Sequence, residues 1–444
     1  MSQAAVVART SSEGAGGFAA DTARSRVVLE QEYRLMTSTF PLHLAVALDG
    51  AGWHPAAWRE PHSRPSELFS ASYWTDLVTT AERGLLDFVT IEDSLSVPTA
   101  HPFGPVDNSV DQVRARLDAH LVAARLAPVT RNIGLVPTVT TTHTEPFHVS
   151  KAVATLDYTS RGRAGWQVKV SASALESGQF GRRSIPELSE QDRESIVAGV
   201  LPDFVRDLFD ESAEAADIVR RLWDSWEDDA EIRDVAQRRF IDRDKVHTID
   251  FEGKYLSVRG PSITPRPPQG QPVVTALAHQ RVAYELAARA ADLVFVTPPG
   301  AEQVAPIIGE VNAAQERVGR RGEALRVYAD VVVFLDADGE SGQDRLDRLD
   351  ALSGNEYRSD AYIFAGSVSA LADLLIAWQE KGIDGFRLRP GVAVDDLDAI
   401  SGRLVPELQN RGVFRTEYPQ ENLRGVLGLP TDVPNRYAAG TPAA

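Results

Sequence analysis

The sequence predicts an α/β fold: a (β/α)8 TIM barrel with a long insertion after the fourth strand. Three observations lead there. Short apolar runs alternate with amphipathic helical stretches from residue 42 onward. Eight such runs can be counted, the number that closes a barrel of this class. The runs are apolar at consecutive positions, so both faces of each strand must be covered. A doubly wound open sheet is the runner-up. It would want a glycine-rich fingerprint after its first strand, and VALDG (46–50) lacks one.

The elements follow in order. LHLAVAL (42–48) is the first strand, ended by the turn signal Asp49-Gly50. The helix after it places Trp74, Leu77, Val78, Ala81 and Leu85 on one face, and Gly84 marks its end. DFVTI (87–91) is the second strand, and a helical pattern runs on through Val113, Leu117, Leu121 and Ala124. NIGLVPTVT (132–140) is the third, with a helix from about Phe147 to Tyr158, and AGWQVKVS (164–171) is the fourth.

Residues 176–270 break the pattern. They are polar and irregular, with one helix around Ala215 to Trp226 running into Glu227, Asp228 and Asp229. The reading is an insertion on the rim, with the acidic run as a solvated face. Alternation resumes with PVVTAL (272–277), a helix over 282–290, and DLVFVT (292–297). Val304, Ile307, Ile308 and Val311 mark the next helix, and RVYADVVVFL (326–335) the seventh strand. Residues 338–350 read as loop and short helix. Leu371, Leu374, Leu375 and Trp378 form a helical stripe, GFRLRP (385–390) is the last strand, and a final helix covers about 395–410. Residues 1–40, rich in small residues and without period, read as a flexible extension; 41–430 is the barrel and 431–444 a tail.

Composition narrows the function. A net charge of −17 argues against nucleic acid as a partner. The absence of cysteine removes disulfides, thiolate zinc sites and a cysteine nucleophile. No run of about 18 apolar residues offers a membrane span, and no secretory signal is seen, so the cytoplasm is the expected location.

Active sites of such barrels lie at the C-terminal ends of the strands. That rule selects Asp49, Trp53, His54 and Trp58 after strand 1, and Glu92, Asp93 and Ser94 after strand 2. It selects Thr140, Thr141, Thr142 and His143 after strand 3, and Ser171 and Ser173 after strand 4. His279 and Gln280 follow strand 5, and Arg389 ends strand 8. There is no Gly-x-Ser-x-Gly elbow and no His-Glu-x-x-His. Pro146 between His143 and His148 spoils a helical two-histidine metal site. A hydrolase or lyase would need paired carboxylates, and Glu92 and Asp93 are strand neighbours that point to opposite faces. The hydroxyl-rich mouth with two indoles suits a large planar ligand with polar edges, or a sugar.

Several long motifs, in order, resemble the nitrilotriacetate and dibenzothiophene-sulfone monooxygenase branch of the luciferase-like flavin-dependent monooxygenases. They are LDGAGWHPAAWREP (48–61), IEDSL (91–95), TTTHTEPFH (140–148), ATLDYTSRGRAGWQV (154–168), LWDSWEDDA (222–230) and VPELQNRGVFRTEY (405–418). The resemblance spans roughly residues 42–430. It implies FMN, reduced by a separate flavin reductase and delivered by diffusion, with O2 activated on it and a small organic molecule oxygenated. The deazaflavins of other superfamily branches are the alternative cofactor, and a homodimer is the implied assembly. The cofactor carries such chemistry, so no protein nucleophile is expected.

Carried over by position, Asp93 sits near the flavin ring, Thr140 and Thr141 line it, and His143 is placed to hydrogen-bond it and to exchange a proton. Gln167 stands where relatives have asparagine, Val170 where they have threonine, and Ser171 closes that motif. Each residue also has a structural reading. Asp93 suits a helix N-cap, the threonines suit a strand end, His143 suits a surface loop, and Trp166 reads as core. The family's Gly-Ala-Ser phosphate loop after strand 5 is replaced by Ala278, His279 and Gln280. Val205 and Phe209 stand where relatives often have histidine and tyrosine. Two readings follow. In one the phosphate site is rebuilt, with His279, Gln280, Arg182 or Arg183 as donors. In the other the chain is a non-catalytic partner subunit that has lost the flavin phosphate site.

Overall fold

A computed structural model of the chain describes residues 41–97, 109–197, 200–337 and 339–438. The 1–40 extension and the last six residues of the tail lie outside these. The barrel strands are β1 (His43–Leu48), β2 (Phe88–Ile91), β3 (Gly134–Thr140), β4 (Gly165–Lys169), β5 (Val273–Leu277), β6 (Leu293–Val296), β7 (Arg326–Leu335) and β8 (Gly385–Pro390). Each pairs in parallel with its chain-order neighbours, and β8 closes on β1 with His43 opposite Gly385.

Alternation along each strand sorts the side chains into two cores. Leu44, Val46, Leu48, Val89, Trp166, Val294 and Leu388 face outward and join the apolar faces of the surrounding helices. Ala45, Phe88, Val136, Val273, Leu293, Phe295 and Tyr328 face inward and fill the floor of the barrel. Leu423, Leu427 and Leu429 from the C-terminal segment complete that floor. The plug sits so close to β3 that a Cβ on Gly134 would come within 2.6 Å of Leu423. Trp166 is core, as its sequence context suggested.

Three expectations need correction. The 176–270 segment is not only a rim insertion. It contains the 22-residue helix Asp203–Asp224, with Val205, Leu208, Ala215, Ile218, Val219 and Leu222 buried. This helix packs between Pro146–Ser160 and Arg281–Ala290, so it is the barrel's own fourth helix. Its dense surface charge hid the stripe. Two short antiparallel pairs follow, Glu231–Asp234 with Arg239–Ile241 and Phe251–Glu252 with Ser257–Val258. The acidic run beside them is paired: Glu227 with His247, Asp228 with Arg266, and Asp229 with Lys245.

Second, the helix before β3 begins only at Ala119, capped by Asp118 through the Leu121 amide. Val113 and Leu117 pack against the core from the preceding loop. Third, a ninth strand, Tyr362–Gly366, pairs with Val331–Leu335 of β7. The ten-residue β7 meets β6 only along 326–329, which leaves the upper half of that edge open. The extra strand fills it and brings its preceding loop to the mouth.

Candidate active site

The interior above the floor is polar. Arg387 and Arg389 alternate with apolar residues on β8, so both point into the barrel, and each is about 1% exposed at its side chain. Asp330 of β7 lies between them. Its Oδ1 accepts from Arg387 Nε at 2.8 Å and its Oδ2 from Arg389 Nε at 2.9 Å. Arg387 Nη1 also donates to Gln167 Oε1 (2.5 Å) and Thr90 Oγ1 (3.2 Å), and Gln167 Nε2 donates to Glu92 Oε1 (3.3 Å). Arg389 Nη1 donates to Asp360 Oδ1 at 2.6 Å. Burial alone would raise the Asp360 carboxyl, but the charge and hydrogen bonds of Arg389 hold it down at about 2. The guanidinium carbons lie 3.7 Å from the Phe295 ring centroid and 4.5 Å from that of Trp53. Every cation in this network meets a carboxylate, so it is a fixed scaffold beneath the mouth.

The rim over β2–β4 holds most of the residues singled out in the sequence. Asp93 spends both carboxylate oxygens on backbone amides, Oδ1 on Ser94 (2.7 Å) and Oδ2 on Ala119 (3.3 Å), the first residue of a helix. The N-cap of that helix is Asp118, so Asp93 only adds an acceptor for its first amide, and burial raises the pKa of Asp93. Thr140 is buried on the inward face beside Lys169. Thr141 turns away: its Oγ1 donates toward Ser212 Oγ (2.9 Å) and the Lys169 carbonyl (3.1 Å), tying β3 to Asp203–Asp224. Thr142 Oγ1 accepts from the Ser171 amide (2.9 Å), and Ser171 Oγ accepts from the Ser173 amide (3.2 Å). Glu176 Oε1 accepts from the Leu95 amide (3.0 Å) and Ser94 Oγ (3.2 Å).

His143 stacks on Phe180, with centroids 4.9 Å apart and planes 5° from parallel. Its Nε2 is buried and has no protein partner. Burial lowers its pKa, against the pull of Glu176, so the imidazole is neutral at neutral pH and Nε2 can take or give a proton.

His279 and Gln280 stand on the next corner of the rim. His279 Nδ1 lies 3.4 Å from Thr297 Oγ1 and 3.8 Å from Asp360 Oδ2, and burial lowers its pKa. Gln280 is the N-cap of Arg281–Ala290 but makes no side-chain cap bond, and its buried Oε1 has no protein partner. The first helical bond runs from the Tyr284 amide to the Gln280 carbonyl (2.9 Å), so the amides of Arg281, Val282 and Ala283 have no intrahelical acceptor. An uncapped first turn with a histidine beside it is the donor set a phosphate requires. Arg182 and Arg183, the other candidate donors, are engaged elsewhere: Arg182 pairs with Glu145, and Arg183 grips Glu211 at 2.8 and 2.5 Å.

Gln167 belongs to the network under the mouth and not to its open surface, where the resemblance had it contact the cofactor. Asp330, Arg387, Asp360, Lys169 and Glu176 escaped the sequence reading. A charged residue at alternate positions of an apolar strand, as in FRLR and YADVV, was the available signal for the first two.

A barrel mouth of hydroxyls, backbone amides and a neutral imidazole suits an enzyme whose chemistry is carried by a bound planar cofactor. A family model described as luciferase-like monooxygenase matches residues 51–363. N-acetyl-S-(2-succino)cysteine monooxygenase of Bacillus subtilis (strain 168) is 30% identical over 460 residues, covering 89% of this chain and 98% of that protein. Nitrilotriacetate monooxygenase component A of Aminobacter aminovorans is 30% identical, covering 87% and 96%. The solved structure of a long-chain alkane monooxygenase superposes with a TM-score of 0.73 at 22% identity, over 88% and 96% of the two chains, and shows the same fold. The chain belongs to the luciferase-like monooxygenase family. It is an oxidoreductase.

Proposed function

We propose that this chain is the oxygenase component of an FMN-dependent monooxygenase, supplied with reduced FMN by a separate flavin reductase. The single observation that carries the FMN reading is the uncapped first turn of Arg281–Ala290 beside His279. Its amides, with His279 and Gln280, would hold the phosphate in place of the family's Gly-Ala-Ser loop. Asp93, Thr140 and His143 would border the ring. Bound reduced flavin supplies two electrons to O2, one oxygen atom entering the substrate and the other leaving as water. The residues would bind, orient and exclude water, and His143 Nε2, buried without a protein partner, would take or give the proton to be moved. The designation of one relative as a component A supports a partner reductase. Family resemblance supports a homodimer working in the cytoplasm, and no helix among the described residues is long and apolar enough to cross a membrane. The substrate is a small organic molecule framed by 176–270.

The apolar Val205 and Phe209, at positions where relatives often have polar residues, favour the second reading, a partner subunit without flavin. Titration of the purified chain with oxidised and anaerobically reduced FMN separates the two. Micromolar binding of the reduced form is expected, and binding of neither form would overturn the enzyme reading. His143→Ala should lower oxygenation on the order of a hundredfold, with the melting temperature little changed. Unchanged turnover in the presence of a reductase would remove His143 from the mechanism.

A further inference from the structure

Among the described residues, Lys169 is engaged differently from the carboxylate-paired arginines of the mouth. Arg116 grips Asp49, Arg183 grips Glu211, and Arg387 and Arg389 share Asp330. Lys169 Nζ donates instead to a peptide carbonyl, that of Asp93, at 2.6 Å. An ammonium has three donors, so this bond leaves two for a ligand.

The position is as specific as the partner. Lys169 is two residues beyond Gln167 on β4, so it shares the inward face, one step nearer the opening. Its register partner on β3 is Thr140. Asp93 and Thr140, two of the three ring-bordering positions, therefore flank it, one by a hydrogen bond and one across the ladder. The carboxylates of Asp93 and Glu176 lie nearby. Both are already held by other donors, the amides of Ser94 and Ala119 for Asp93, and the Leu95 amide and Ser94 hydroxyl for Glu176. Neither carboxylate occupies the remaining protons of the ammonium.

We propose that Lys169 would stabilise the negative charge a bound flavin ring gains on reduction, so that this mouth selects reduced over oxidised flavin. The inference rests on the FMN reading above. The oxidised ring is neutral and the reduced ring readily loses its N1 proton, so one fixed cation discriminates between them. A charge-assisted contact in a partly desolvated site corresponds to about ten- to a hundredfold in affinity. The competing role is that of a tether, with Lys169 merely fastening the loop after β2 through Asp93.

The test is an anaerobic titration without substrate, measuring the affinity ratio of reduced to oxidised FMN, with melting temperatures alongside. Lys169→Met removes the charge and the tether. Lys169→Gln keeps a donor for the Asp93 carbonyl but no charge, and Lys169→Arg keeps both. The wild type should favour reduced FMN. Met and Gln should each cut the ratio by about tenfold or more, through the reduced form, while Arg holds it within about threefold. A ratio unchanged in Lys169→Gln, or a wild type indifferent to flavin redox state, would overturn the proposal and leave the tether. A wild type that binds neither form would instead overturn the FMN reading, and the inference with it.

Discussion

Two pairs of arginines, Arg163 and Arg320 at the base of this barrel and Arg387 and Arg389 at its mouth, are satisfied differently. At the base, Arg163 donates to the carbonyls of Ile133 (2.6 Å), Ser160 (2.8 Å), Ala127 (2.9 Å) and Thr130 (3.2 Å). Arg320 does the same with Ala288, Ala291 (both 2.9 Å) and Glu323 (2.7 Å). Burial lowers the pKa of both. At the mouth, Arg387 and Arg389 bind carboxylates. The reason is local supply. Helices end at the base, and helix C-termini present orphan carbonyls and partial negative charge that a guanidinium can cap. The strand interior has already spent its carbonyls on the ladder, so a cation there needs a carboxylate. Arg163 and Arg320 finish helices, and Arg387 and Arg389 build a rigid floor for a site.

That contrast can be broken at each end. The largest effect belongs to Asp330→Ala, which leaves two buried guanidinium groups short of their shared counter-ion. It should cost about 3–5 kcal/mol in urea unfolding, and a loss under about 1 kcal/mol would mean the network is not cooperative. Arg320→Ala removes a cap and leaves carbonyls unpaired, for about 1–3 kcal/mol. Its effect should be nearly independent of pH between 5 and 8, because the partners are neutral. A pH-dependent loss would show that a carboxylate is involved after all.

The smallest effect sharpens the contrast through acid. The folded pKa of Asp360 is depressed from 3.8 to about 2, so its contribution is fully present above about pH 4 and is lost as pH falls towards 2. Its side chain is 42% exposed, so the discounted contribution is about 1 kcal/mol. Asp360→Asn should be less stable than wild type by that amount at neutral pH, and the difference should shrink over this acid window. A constant difference across it would deny the ion pair with Arg389 that role.

Much of the architecture was legible along the chain. The eight strands, their order and the site-bearing end follow from local hydrophobic period and from the closure rule, because burial on both faces leaves a direct imprint on composition. The ninth strand was not legible. Tyr362–Gly366 is short, and it exists as a strand only because β7 outruns β6 and offers an open edge. The helix Asp203–Asp224 was half seen, since charge on its outer face masks a stripe that only packing against two neighbours reveals.

The site divides in the same way. Asp93, Thr140, His143, Ser171, His279 and Gln280 all fall at strand ends on the rim, which chain position alone established. What each one touches was decided by the tertiary structure. Thr141 turns to Ser212, Gln167 sinks into the arginine network, Arg182 and Arg183 pair away from the His279–Gln280 corner, and Lys169 meets a carbonyl in place of a carboxylate. Periodicity along a chain encodes which face is buried. Partners drawn from residues tens to hundreds of positions apart depend on barrel closure and register, and a linear pattern carries no record of either.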